Sequence, residues 1–176
     1  MKVRSILLTL ALCLVGIPFC YGQDVFMGTW KLNEANSIIP AGAQKNNTVI
    51  YEPADGNVKI TVEGTDGEGK PAHSEWTGKF DGKDYPVTGD PNSDTREYTT
   101  VNDHLLRFTG KKGGEATMIG RVGVGPDGKT RTVTTTGTDA KGQKVSTTSV
   151  NDNELLRRSW CPDGGLDRSR RYFYFG

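Results

Sequence analysis

Turn-forming dipeptides recur along most of this chain at intervals too short to leave room for long helices. Asp55-Gly56, Asp66-Gly67, Asp81-Gly82, Gly113-Gly114 and Asp127-Gly128 read as hairpin-type turns, and Asn102-Asp103 and Asn151-Asp152 as two further corners. Glycine reaches positive φ without a Cβ clash, and aspartate hydrogen-bonds to the backbone just ahead of it. Between the turns, side chains alternate with a period of two. Phe26, Gly28, Trp30 and Leu32 share one face of a first strand, and Val58, Ile60 and Val62 share a face of another. Ser74, Trp76, Gly78 and Phe80 repeat the pattern, as do Ala116, Met118, Gly120, Val122 and Val124. The run from Thr130 to Thr138 is nearly all threonine and valine, a β-branched composition suited to a pleated sheet. About ten strands joined by short turns are expected, which reads as a meander sandwich or barrel.

Two segments break the rhythm. Asn33 to Asn47, with Ile38, Ile39, Pro40 and Gly42, is a longer link between the first and second strands. In Asp84 to Asp94, Tyr85-Pro86 and Asp90-Pro91 interrupt pairing, because proline cannot donate to a ladder; an edge strand or a loop is expected there. A weak repeat relates Val101-Asn102-Asp103-His104-Leu105-Leu106-Arg107 to Val150-Asn151-Asp152-Asn153-Glu154-Leu155-Leu156-Arg157, each followed by a Gly-Gly pair. It suggests one hairpin chemistry used twice, with strands at residues 154–160 and 168–175.

Composition separates a leader from the rest. Residues 1–22 carry Lys2 and Arg4, an apolar run from Ile6 to Phe19 and the exit Cys20-Tyr21-Gly22, the pattern of a helical secretory signal peptide cleaved near Gly22. Without Lys2 and Arg4, the 22 basic and 21 acidic side chains become a balance of −1, which argues against a bulk electrostatic nucleic-acid binder. Cys13 and Cys20 fall inside the leader, so Cys161 is alone and an exported domain forms no internal disulfide. A secreted or periplasmic location is expected, with the unstapled domain favouring a bacterial route.

Phe26-x-Gly28-Thr29-Trp30-Lys31-Leu32 at the start of a β-meander resembles the opening of lipocalins and other calycin barrels. The stretches Gly28–Ser37, Asp81–Pro91 and Gly137–Gln143 resemble uncharacterised secreted bacterial proteins of lipocalin-like type. The resemblance runs from about Val25 to Val150. It implies an all-β fold, a single up-and-down antiparallel β-barrel over residues 23–150, with Gly28 and Trp30 at its closed end. It further implies an arginine from a late strand stacked on Trp30. Arg121 and Arg131 are the candidates, with Arg121 preferred. Residues 151–176 are either an extension or the last hairpin. The link at 33–47 is too short and too rich in Pro, Gly and Ala for the two-helix lid of intracellular fatty-acid-binding barrels.

Little in the chain points to catalysis. His73 and His104 lie on different predicted elements without metal-ligand spacing, and no Gly-x-Ser-x-Gly elbow is present. Glu75, Asp81, Asp84 and Asp90 read as scattered surface charges. The aromatic and basic C-terminus, Arg168 to Phe175, has the residue types to stack bases, and its alternation is similar to that of an outer-membrane strand. The near-neutral charge opposes the first reading, and threonine-rich strands without an apolar outer band oppose the second. The expectation is a non-enzymatic barrel with no cofactor and no metal, not inserted in a membrane. It would bind a small apolar or amphipathic ligand through Trp30, Ile60, Trp76, Phe80, Tyr85 and Met118. The alternatives are that these residues simply pack as core, or that a filled barrel meets an envelope or protein partner through Tyr85–Pro91.

Overall fold

A computed structural model of the protein describes residues 25–138 and 142–157. The expected signal peptide, Cys161 and the aromatic C-terminus lie outside the described residues. Ten strands run in chain order around one closed antiparallel barrel. They are β1 (Gly28–Leu32), β2 (Lys45–Ala54), β3 (Asn57–Thr65), β4 (Pro71–Gly78) and β5 (Asp81–Thr88), then β6 (Thr95–Asn102), β7 (Leu105–Lys112), β8 (Glu115–Val124), β9 (Thr130–Thr138) and β10 (Lys144–Asn153). Closure is made by β1 against β10, in the register Trp30 to Asn153, Lys31 to Asp152 and Leu32 to Asn151. Closing the sheet removes both edges that an open meander would expose.

Up-and-down order gives the barrel two different ends. At one end, here the turn end, the hairpins are tight: Asp55-Gly56, Lys79-Phe80, Asp103-His104 and residues 125–129. Asp55 and Gly56 have φ of 47° and 76°, the left-handed pair of a type I′ turn, so Asp-Gly is needed there. The N-terminal lead crosses this end, where Phe26 is 2% exposed and meets Phe80 edge to face at 6.3 Å. At the other end, the mouth, lie the link 33–44, the Asp66 turn, the connection 89–94 and the Gly113-Gly114 turn. Asp66 Oδ1 accepts from the amides of Glu68 and Lys70, closing its turn.

The structure corrects several local expectations. Asp81-Gly82 is not a turn. Lys79-Phe80 makes the reversal, and Asp81-Gly82 begins β5 at an irregular register. Asn151-Asp152 is not a corner either, because β10 continues through it to Asn153, three residues beyond the expected boundary at Val150. The second copy of the repeat is therefore strand followed by a single helical turn, α1 (Glu154–Arg157), where a strand was expected. Tyr85-Pro86 lies within β5, and Pro86 pairs with Thr95 of β6. Toward β4, β5 makes only the pairs Glu75 to Thr88 and Trp76 to Val87. The proline thus sits beside the least-paired seam of the wall, where a missing donor costs least.

Candidate functional site in the barrel lumen

Register decides which side chains enter the lumen, because directly paired residues share a face. On the β4–β8 side the lumen is aromatic. Trp76 stacks on Phe80 at 6.1 Å, meets Tyr98 at 4.8 Å and Tyr85 at 5.8 Å, and Tyr98 meets Phe108 at 5.5 Å. The Trp76 indole donates to the Arg96 carbonyl at 2.9 Å. Glycines make this packing feasible. A Cβ on Gly120 would lie 2.5 Å from the Phe108 ring, and one on Gly78 would overlap the rings of Tyr85 and Trp76. On this side, strands poor in bulky side chains do not leave empty volume, since neighbouring rings lie over the glycines.

A second layer surrounds Trp30, which is fully buried and donates its indole N–H to the Phe26 carbonyl at 2.8 Å. The guanidinium stacked on it belongs to Arg131, 5.6 Å from the Trp30 ring and 5.4 Å from the Tyr51 ring. Arg121 is exposed and paired with Thr134 on the outer face, so the preference for it is overturned. The reason is legible in the sequence. Met118, Gly120, Val122 and Val124 share a face, which puts Arg121 on the opposite one, whereas Arg131 pairs with Val124 and points inward. Arg131 Nη2 donates to Asn151 Oδ1 at 3.2 Å. Among the described residues, its Nε and Nη1 reach no acceptor. Burial holds the Tyr51 hydroxyl well above the usual tyrosine range, with the facing Arg131 opposing that shift, and burial lowers Arg131 from its ordinary value.

Arg96 enters the lumen nearer the mouth and has a different partner. Its Nη2 meets Asp90 Oδ2 at 2.6 Å, with the Asp90 side chain only 7% exposed, and its guanidinium lies 5.8 Å from the Phe108 ring. Ser93, 2% exposed, donates to the same carboxylate oxygen at 2.5 Å. Burial acts to lower the Arg96 pKa, but Tyr98 and Asp90 outweigh it and hold the group above its ordinary value. Asp90 is thus no scattered surface charge. It anchors the connection 89–94, which is also pinned where Thr117 Oγ1 donates to the Asn92 carbonyl and the Gly113 amide donates to Asp94 Oδ2, both at 2.8 Å. Glu75 and Asp84 do lie on the surface, paired with Lys59 at 2.6 Å and Lys111 at 2.9 Å.

The β9–β10 side is built differently. Arg131, Val133, Thr135 and Gly137 pair with Asn151, Ser149, Thr147 and Val145, so all eight share the inward face. From Arg131 and Asn151 toward the mouth, nothing on this wall exceeds valine in size. Val133, Thr135, Gly137, Val145, Thr147 and Ser149 are only half-buried although they face inward. Side chains that face the lumen and keep accessible surface border space that water can reach.

The residues expected to line a ligand site divide accordingly. Trp30, Ile60 and Trp76 are fully packed core, while Phe80, Tyr85 and Met118 are half-buried against it. Trp76, Phe80 and Tyr85 come together, and Trp30 belongs to the separate Arg131–Tyr51 layer. Gly28 opposes Tyr51 across the β1–β2 ladder at the turn end. The two histidines do not converge. His73, early in β4 on the outer face, binds Glu63 at 2.6 Å, whereas His104 lies in a turn-end hairpin beside the Val124 carbonyl. Sequence reasoning misses Tyr51, Arg96, Tyr98 and Asn151. Period-two counting from Trp76 or Phe108 does not reveal which charged side chains a closed barrel turns inward.

No protein-family model and no curated protein matches the chain. Among solved structures, a redesigned β-barrel, mFAP1, bound to DFHBI, is similar in fold at 14% identity and a TM-score of 0.40, over 73% of this chain and 95% of that one.

Proposed function

We propose that the protein is an exported, non-enzymatic barrel that binds a small amphipathic molecule in its lumen. The carrying observation is the asymmetry of the interior. One wall is a packed aromatic cluster, and the other, on β9 and β10, is small, half-buried and accessible. An apolar body laid on the half-buried rings of Phe80 and Tyr85, with polar contacts to Thr135, Thr147 and Ser149, suits such a chamber. The anchored connection 89–94 keeps the mouth in one shape, so binding needs little reorganisation there. Export is part of the proposal and rests on the leader-like pattern at residues 1–22. Native mass spectrometry of the protein purified from the exported fraction tests it. A one-to-one small-molecule adduct, released when the protein is unfolded, is the expected result. A bare polypeptide mass that stays bare after incubation with amphiphiles overturns it.

A further inference from the structure

Burying a guanidinium is costly unless its donors are matched, because arginine does not shed its proton in proteins. Among the described residues two arginines face the lumen, and one of them has a carboxylate partner, although its Nε too reaches no acceptor. Arg96 faces Asp90 at 2.6 Å. Arg131, 3% exposed, faces only neutral groups, the Trp30 ring, the ring and hydroxyl of Tyr51 and the Asn151 amide, and no ion pair to a carboxylate is present for it among the described residues. The rings of Trp30 and Tyr51 stabilise the charge through the guanidinium faces. The Tyr51 hydroxyl also accepts from the guanidinium, but Nε and Nη1, which point along the guanidinium plane, are left without an acceptor. We propose that the lumen ligand is an amphipathic carboxylate whose head group is held by Arg131, with its apolar tail running along the β9–β10 wall toward the mouth. This rests on the reading of the lumen as a binding chamber and adds the chemical class of what binds.

The surroundings fit an acid better than a neutral amphiphile. The Tyr51 hydroxyl beside Arg131 is kept protonated by burial and offers a second donor to a carboxylate oxygen. Asp90, the lumen carboxylate that could repel an anion, is held by Arg96 and Ser93 on the mouth side. From Arg131 to Gly137 the wall extends over roughly 20 Å of strand, at about 3.3 Å per residue, enough for a medium-length chain.

Isothermal titration of the full exported protein with decanoate and with 1-decanol at neutral pH separates this proposal from the one it rests on. Decanoate is expected to bind at least about tenfold more tightly than decanol. In Arg131→Gln that preference should vanish while decanol binding persists. Equal affinities for the two probes in the wild-type protein overturn the carboxylate assignment and leave the binding chamber standing, whereas no binding of either overturns both. A preference retained by folded Arg131→Gln overturns the role of Arg131. If that variant does not fold, 15N-arginine-labelled wild-type protein decides. The Nε–H signal assigned to Arg131 through its contacts with the Trp30 indole should move with decanoate and not with decanol. A signal unmoved by decanoate overturns the proposal.

Discussion

Gly120 and Phe108 show how a residue without a side chain can be as specific as one with a large side chain. The Phe108 ring fills the volume a Cβ at position 120 would need, and the Thr134 carbonyl closes the other side at 2.6 Å. Gly120→Ala should therefore lower stability by about 1–3 kcal/mol, the usual cost of overpacking a core, as measured by urea denaturation. An unchanged midpoint would mean that the ring moves freely. Tyr51 gives a second expectation at this scale. Burial raises its hydroxyl above the ordinary value of 10.0, so above that pH the unfolded chain releases a proton that the folded protein keeps. Stability that is complete below about pH 10 should then fall by about 1.4 kcal/mol per pH unit above it. Tyr51→Phe should flatten that part of the curve. An equally steep alkaline loss in the variant would place its origin elsewhere.

Among the elements, β5 and the connection 89–94 distribute stability unevenly around the wall. β5 is tied to β6 but barely to β4, so this part of the barrel relies on the anchors of the connection, the buried Asp90–Arg96 pair among them. Asp90→Asn would leave the Arg96 charge uncompensated, and a loss of about 3–5 kcal/mol is expected on urea denaturation. A loss under about 1 kcal/mol would show that the connection holds without the ion pair. The same region shows where sequence reading reaches its limit. Alternation around Trp30, Trp76 and Val122 is enough for strands, and the Asp-Gly and Gly-Gly pairs are enough for most hairpins. Pro86 reads as an interruption of pairing, yet the consequence, a thinly paired β4–β5 seam inside a closed wall, depends on neighbours far along the chain. Asn151 reads as a turn residue because asparagine favours turns. In the barrel it is 1% exposed and bonded to Arg131, a tertiary contact that overrides local propensity. The choice between Arg121 and Arg131 is different, because the alternation through Val122 already assigns Arg121 to the outer face.

At the scale of the whole molecule, closure of β1 on β10 turns a repetitive meander into an enclosure with two unequal ends and two unequal walls. The turn end is sealed by Phe26, Phe80 and the Trp30 layer, and the mouth is framed by an ion-paired connection. A space beside the β9–β10 wall, large enough and close enough to the aromatic layer to hold a ligand, is the central claim. The most direct measurement is tryptophan quenching by a chain-brominated decanoate in a Trp160→Phe background, where Trp30 and Trp76 are the remaining reporters. A saturable decrease with one-to-one stoichiometry, displaced by unbrominated decanoate, is the expected result. Quenching that rises linearly without saturation, no stronger than for free tryptophan, would contradict the claim.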